Sequence, residues 1–297
     1  MNDSGIHLET LVRQAAERME AAGLVFGHGT DNAFDEACWM ASVALKLAPD
    51  FDPGQFSRPV TGPELSHFHQ LLDARVTSRK PLAYLTHEAW FAGLSFAVND
   101  SVLIPRSPLA ELIVDGFRPW LDPAGMRRAL DIGTGSGCLA VALAHYWPQV
   151  TVDAVDISTD ALAVAERNIR RHGLGKRVRA VHSDLFRALP GQRYDLILAN
   201  PPYVPQASMA TLAPEFRWEP SIALAAGDDG LDLVRRILAE AAEHLAETGI
   251  LVCEVGEAAE AVDRMLAAHE LTWLEFEHGG DGVFMLDRNT LDKLQSY

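Results

Sequence analysis

The residues best placed to do chemistry lie where an apolar run meets a polar corner, in Tyr194-Asp-Leu-Ile-Leu-Ala-Asn200-Pro201-Pro202-Tyr203. Leu196, Ile197 and Leu198 have the pattern of a buried strand. Neither Pro201 nor Pro202 can donate to a strand ladder, so the strand stops at Asn200. A proline also pushes the residue before it out of the helical region. The result is a stiff, extended corner at a strand's C-terminal end, the edge at which open α/β sheets bind ligands. It offers an Asn amide, proline carbonyls with no neighbouring N–H, and an aromatic face. Together these can grip a planar group that carries an NH2. An isolated Asn-Pro is ordinarily a strand-ending turn. Four such residues in this order after an apolar run point to a binding corner.

A second cluster lies upstream. Asp131-Ile-Gly133-Thr-Gly135-Ser-Gly137 falls between a strand, Ala129 to Ile132, and a helix that starts at Cys138. Glycines there permit tight turning and close approach of backbone to a ligand. A dinucleotide fingerprint needs a third glycine three places after the second. That position is Cys138, and the loop also lacks the Lys-Ser/Thr of a P-loop. Asp131, just before the loop, suits a ligand with an ammonium group, and S-adenosylmethionine carries both an ammonium and a sulfonium. Asp156 closes the second strand, where a carboxylate can accept both hydroxyls of a ribose. Asp184 closes the third, where it can accept from an adenine amine. Each acid alone is an ordinary loop residue or helix cap. Three at successive strand ends beside a glycine loop describe an adenosine-bearing ligand, with NAD as the main competitor of S-adenosylmethionine.

Composition narrows the partners. The chain has 297 residues, enough for one large or two medium domains, and is 48% hydrophobic. Its net charge of −16 argues against a phosphate backbone as main partner and is compatible with a basic protein. Cys38, Cys138 and Cys253 are far apart and form no CxxC, which suits a reducing cytoplasm and gives no metal signature. His67 and His69 are close, but their i, i+2 spacing puts them on different helix faces. No apolar run approaches a membrane span, and the first residues are acidic and polar rather than a signal peptide.

The elements that must position these groups follow from periodicity. Residues 6 to about 88 read as helices. Leu8, Leu11, Val12, Ala15, Ala16 and Met19 recur at helical spacing, with Gly23 beyond the end. Asp31 or Asn32 caps a second helix that stops near Pro49. Thr61 caps a third, with Leu65, Phe68, Leu71 and Leu72 inward. Trp90 to Ile104 reads as a β-hairpin turning at Asn99-Asp100. Ser107 and Pro108 open a helix that carries Leu109, Leu112, Ile113 and Phe117. Strand and helix then alternate. Thr159 or Asp160 caps the helix after Asp156, and strands run at Val178–His182 and Ile250–Val255. A long loop spans Val204 to Gly230, and helices cover Leu231–Leu245 and Ala258–Ala268. Two last strands lie at Thr272–Phe276 and Gly282–Leu286. This is a doubly wound α/β sheet with an antiparallel strand at its end.

With Asp156, Asp184 and Asn-Pro-Pro-Tyr in place, the chain resembles a class I (Rossmann-like) S-adenosylmethionine-dependent methyltransferase. It is most similar to the protein-(glutamine-N5) methyltransferases. The resemblance covers nearly the whole chain, including Pro81-Leu-Ala-Tyr-Leu, Trp90-Phe-Ala-Gly, Glu219-Pro220, Asp229-Gly230-Leu231 and Glu254-Val255-Gly256. It implies a catalytic corner of Asn200, Pro201, Pro202 and Tyr203. It implies a cofactor site of Asp131, Gly133, Thr134, Gly135, Gly137, Asp156, Ile157, Asp184, Leu185 and Asn200. It also implies a helical substrate-recognition domain over 1–88, a hairpin linker over 89–108 and a catalytic domain over 109–297.

Within that family two branches differ ahead of the first helix. The release-factor branch reads Pro-Arg-Pro-x-Thr-Glu. This chain reads Pro105-Arg106-Ser107-Pro108-Leu-Ala-Glu111, a stretch expected to border the cofactor and the substrate channel, and resembles the branch that methylates a glutamine of ribosomal protein uL3. Gly279-Gly280-Asp281-Gly282-Val-Phe-Met also resembles that branch. In the implied reaction, the Asn200 side-chain oxygen and the Pro201 carbonyl accept the two amide N–H groups, and Tyr203 packs on the amide plane. The alternatives are release-factor methylation, opposed by Ser107-Pro108; N6-adenine methylation of nucleic acid, opposed by the net charge and the lack of a basic run; and a non-enzymatic binding scaffold, opposed by the intact Asn-Pro-Pro-Tyr.

Overall fold

The protein is described by a computed structural model that covers residues 6–267, 269 and 271–294. The chain forms two compact units. One holds the described residues up to Glu88 together with Ala213–Trp218. The other runs from Ala89 to Leu212 and resumes at Glu219.

The first unit is helical: α1 (Leu8–Ala21), α2 (Ala33–Leu45), α3 (Gly62–Ser78) and α4 (Leu82–Thr86). The apolar stripe of α1 is buried as the spacing requires, and Met40 and Phe68 complete the core beside it. Asn32 caps α2, its side chain accepting from Asp35 N at 2.9 Å. The helix ends at Leu45, four residues before Pro49, because Lys46 takes a left-handed conformation. Thr61 and Glu64 form a capping box at the start of α3. Phe68 and Leu72 face inward as expected, whereas Leu65 and Leu71 are half-buried. The inward stripe also takes Arg75, which no apolar periodicity signals. Arg75 is fully buried, with Nε on Glu36 Oε1 at 2.6 Å and Nη2 on the Val25 carbonyl at 3.1 Å. Glu215, from the 213–218 segment, joins the cluster: it accepts from Val25 N at 3.1 Å and pairs with Arg79 at 2.8 Å.

The second unit opens with a separate hairpin, β1 (Glu88–Phe91) and β2 (Leu94–Ala97). Its turn is Ala92-Gly93, both at positive φ, and not Asn99-Asp100. A two-residue loop with two left-handed residues matches strand twist. Asn99 instead closes its own turn, its Oδ1 accepting from Ser101 N, and 101–104 form a loop rather than a strand. Helix α5 (Leu109–Asp115) follows, with Ser107 Oγ accepting from Leu109 N. It stops at Gly116, so Phe117 is buried beyond the helix rather than on it.

The alternating elements are β3 (Arg128–Ile132), α6 (Cys138–Tyr146), β4 (Thr151–Asp156), α7 (Thr159–Arg171), β5 (Val178–His182), β6 (Tyr194–Ala199), α8 (Asp232–His244), β7 (Leu245–Glu254), α9 (Ala259–Met265), β8 (Thr272–Trp273), β9 (Val283–Asp287) and α10 (Arg288–Leu294). The sheet order is β5-β4-β3-β6-β7-β9-β8, parallel except for β9, which runs antiparallel to β7 and β8. Side chains alternate between two cores. Leu196 and Leu198 pack in one with α5 and α6; Ile197 and Ala199 pack in the other with α8 and α9. Helices therefore cover both faces, which defines the doubly wound class. Strand order reverses on either side of β3 and β6, and the crevice at their carboxyl ends is where such sheets bind ligands.

Several boundaries differ from the sequence expectation. Ser158, not Thr159 or Asp160, caps α7 through Ala161 N. Strand β7 begins at Leu245, earlier than expected, because Leu245 pairs with Tyr194 before a register shift. A tight turn at Gly256–Ala258 precedes α9, which ends at Met265; the expected end at Ala268 lies outside the described residues. Strand β8 is short, and α10 had no counterpart in the periodicity reading. No helix among the described residues is long and apolar enough to cross a membrane.

Candidate active site

The carboxyl ends of β3, β4, β5 and β6 open into one cavity of about 680 Å³, a volume typical of a small-molecule site. Gly133, Thr134, Gly135, Asp156, Ile157, Asp184, Leu185, Asn200, Pro201 and Pro202 all line it. Asp131, Gly137 and Tyr203 do not. The two motifs, 65 positions apart from Gly135 to Asn200, are brought together because β3 pairs with β6 in register, Ile132 beside Ala199.

The glycine loop is held by backbone. The N–H groups of Gly133 and Thr134 both reach the Val155 carbonyl at 2.9 Å, and Gly135 N donates to Asp156 Oδ2 at 2.9 Å. Gly133, Gly135 and Gly137 all have positive φ, and a Cβ on Gly137 would stand 3.2 Å from that of Ala165. Gly137 thus serves the close packing of α6 on α7 rather than the cavity wall. Asp131 sits behind the loop, fully buried, its Oδ2 accepting from Thr134 Oγ1 at 2.6 Å and from Ala140 N at 3.2 Å. Its Oδ1 has no hydrogen-bond partner among the described residues. Burial pushes its pKa up to about 7, against the two hydrogen bonds.

Asp156 has its second oxygen on Ser158 N at 2.8 Å. Burial raises its pKa, and the backbone N–H groups of Ser158, Gly135 and Ile157 oppose the rise. Each oxygen keeps acceptor capacity toward the cavity. Ile157, 53% exposed, is an apolar face on the rim. Asp184 is half-exposed and pairs at 2.7 Å with Arg236 of α8, a cavity residue that sequence reading missed because its partner lies beyond β5, 52 positions away.

At the other end, Asn200 follows β6, as the prolines require. Tyr203 turns its ring onto Gly256, where an added Cβ would meet ring carbons at 2.8 Å. Burial, and then Glu254, push its phenol up to about 12. The stretch Pro105-Arg106-Ser107 lines the cavity as expected of it. Arg106 forms a two-pronged bridge to Glu219, Nη1 to Oε1 at 2.6 Å and Nη2 to Oε2 at 2.8 Å, and Glu219 also accepts from Ile104 N. Ser107 Oγ donates to Glu254. Glu219 and Glu254 belong to stretches that carried the family resemblance, but no local pattern assigned them a role. Residues 221–223 and 225–227 of the long loop also form wall. No cluster of His, Cys, Asp and Glu among the described residues is arranged to hold a metal.

Residues 117–216 match the model of the methyltransferase small domain family. Two curated relatives are ribosomal protein uL3 glutamine methyltransferases. That of Xylella fastidiosa is 47% identical over 93% of this chain and 88% of its own length. That of Bordetella pertussis is 47% identical over 96% of each. Among solved structures, the hMettl16 catalytic domain in complex with MAT2A 3′UTR hairpin 6 superposes with a TM-score of 0.54 at 19% identity, covering 84% of this chain and 91% of that one. That likeness is one of fold alone. An α/β sheet of the class I methyltransferase type, a glycine loop and Asn-Pro-Pro corner sharing one cavity, and near-half identity along almost the whole length place this chain in the ribosomal protein uL3 glutamine methyltransferase family.

Proposed function

We propose that the protein transfers a methyl group from S-adenosylmethionine to the side-chain nitrogen (N5) of a glutamine in ribosomal protein uL3. The observation that carries this reading is the shared cavity: Asn200 and Pro201 stand on the same wall space as the glycine loop and Asp156. When bound, S-adenosylmethionine supplies a sulfonium methyl that is already electrophilic. The residues present fit it. Backbone at Gly133–Gly135 allows close approach, Asp156 offers acceptors for a ribose diol, and Ile157 with Leu185 offers apolar faces for adenine. Asp184 would accept from the adenine amine, for which its bond to Arg236 must loosen. Asp131 braces the loop from behind, and its charged form is stabilised by a cation in front of it.

The protein's own work is alignment. An amide nitrogen is a weak nucleophile because its lone pair is delocalised. Asn200 Oδ1 and the Pro201 carbonyl accept its two N–H bonds, hold the nitrogen toward the methyl and favour positive charge as it develops there. The same acceptors, or water at the rim, take the surplus proton. Pro202 stiffens the corner, and Tyr203, seated on Gly256, fixes its exit. The helical unit presents the substrate. The net charge of −16 draws a basic ribosomal protein and speeds encounter. Three free cysteines suit action in the cytoplasm.

A side-by-side assay tests the assignment. Labelled methyl should enter purified uL3 and fail to enter its Gln→Ala variant. A higher kcat/KM on release factor would reassign the substrate and leave the amide chemistry standing. Label in DNA or RNA would overturn the protein-substrate reading.

A further inference from the structure

An asparagine amide has two nearly isosteric orientations, and the chemistry proposed above works in only one. With Oδ1 toward the substrate it accepts an amide N–H. Flipped, it presents its own N–H groups to the substrate's, donor against donor. The Pro201 carbonyl needs no such choice, since the backbone fixes it.

The structure contains a group that makes the choice. Glu254 ends β7, one place beyond the pairing of Ala199 with Cys253, so it stands beside Asn200 at the ends of adjacent parallel strands. It is 6% exposed. Its Oε2 accepts from Ser107 Oγ at 2.5 Å, and the Asn200 side chain stands near enough to the same carboxyl to favour its charged form. The Ser107 hydroxyl also accepts from Leu109 N at 3.2 Å, so its single hydrogen is directed at Glu254. Burial raises the pKa of Glu254, and the Ser107 hydroxyl and the neighbouring Arg106 cation oppose the rise. An ionised carboxylate only accepts. With the Ser107 hydrogen directed at it, Glu254 acts as an acceptor beside the end of β6, so Asn200 turns its NH2 to Glu254 and leaves Oδ1 free.

The seat of Ser107 is itself fixed. Pro108 packs on Gly280, where a Cβ would come within 2.6 Å of the proline ring. Glu111 accepts from Glu277 N and His278 N, tying the same stretch to the start of α5. The two stretches that resemble the uL3 branch, around Ser107-Pro108 and Gly279–Gly282, thus touch each other behind the Asn200 corner.

We propose that Glu254, seated by Ser107, is a positioning residue that locks the Asn200 amide with its oxygen toward the substrate. The proposal rests on the reading of Asn200 as the substrate's acceptor. It is tested in the full chain by single-turnover transfer of labelled methyl to uL3, with S-adenosylmethionine affinity measured by calorimetry. Glu254→Met should slow transfer about tenfold to a hundredfold, the scale of a misplaced reacting group, with cofactor affinity unchanged. Ser107→Ala should act in the same direction more weakly, and carries the test if the Glu254 variant fails to fold. In an Asn200→Ala background neither change should slow the rate further, because both act through Asn200. An equal loss in that background, or a parallel fall in cofactor affinity, would overturn the proposal. Slow Asn200→Ala with full-speed Glu254→Met and Ser107→Ala would sink it alone. Full-speed Asn200→Ala would remove the reading beneath it as well.

Discussion

At the glycine-loop end of the cavity, nearly every contact is local or backbone-made: Gly135 N on Asp156, Gly133 and Thr134 on the Val155 carbonyl, Thr134 Oγ1 on Asp131. At the Asn200 end the support comes from side chains and glycines far away in sequence: Ser107, Glu254, Gly256 and, behind Gly256, Gly282. The first end is a shape into which a ligand fits. The second is a set of directions that a handful of buried groups must agree on. A backbone-built site loses affinity when one side chain is removed. A direction-built site loses rate.

The largest effect should separate the two ends most cleanly. Asn200→Ala is expected to leave S-adenosylmethionine binding nearly intact and to reduce turnover about a hundredfold to a thousandfold, the loss typical of one preorganised acceptor or donor at a reacting centre. Calorimetry and labelled transfer on the same preparation read both quantities, and a loss of affinity equal to the loss of rate would erase the distinction. Asp156→Ala should do the reverse. A hydrogen bond to a charged acceptor is worth roughly 1.5–3 kcal/mol, so affinity should fall about tenfold to a hundredfold, while turnover at saturating cofactor stays close to normal. Unchanged affinity would reduce Asp156 to a brace for Gly135 and Ser158.

Stability gives a third contrast. Gly256→Ala drives a methyl into the Tyr203 ring, whereas Gly173→Ala, also at positive φ, meets nothing within 4 Å. The Gly256 variant should lose roughly 1–3 kcal/mol from overpacking, beyond the backbone strain both share. Denaturant midpoints of the two variants check this, and equal midpoints would show that Tyr203 yields freely. A fourth contrast concerns Asp131, whose carboxyl rises from its ordinary 3.8 to about 7 through burial. The folded state therefore holds a proton there that the unfolded state releases between about pH 4 and 7, and this contribution to stability is lost as pH rises through that window. Asp131→Asn cannot release the proton. The melting temperature of the variant relative to the parent should rise steadily from about pH 4 to 7, and a constant difference would contradict the shift.

The same contrast explains what was legible in the sequence. Asn200-Pro201-Pro202 and the glycine loop announce themselves because proline and glycine act on their own backbone, and ten of the thirteen expected site residues line one cavity. Ile157 and Leu185 come only with the family resemblance, each next to a strand-end acid. The sequence reads Tyr203 as packing on the substrate amide, and its seat on Gly256 is unreadable from residue 203. Arg236 and Glu254 carry no local signature either; each is defined by a contact across the sheet. The hairpin turn was misplaced because Asn99-Asp100 is the stronger turn signal in composition, while Ala92 adopts positive φ only because the hairpin requires it. Arg75 interrupts an inward stripe that periodicity fills with apolar residues, and only the buried acids Glu36 and Glu215 justify it.

The buried Glu215 has a consequence for how this protein can be taken apart. The segment Ala213–Trp218 belongs to the helical unit although sequence on both sides of it belongs to the other, so the chain passes between the units three times. A fragment ending at residue 88 would lack Glu215, leaving the Val25 N–H without its acceptor and Arg79 without that carboxylate. Such a fragment is expected to express as an unstable bundle, and grafting it onto another enzyme would transplant an incomplete core. A functional transplant of the helical unit requires two insertions at once, one at the N-terminus and one inside the loop that follows Asn-Pro-Pro-Tyr. In a family built this way, the two units are expected to diversify together rather than by exchange of parts.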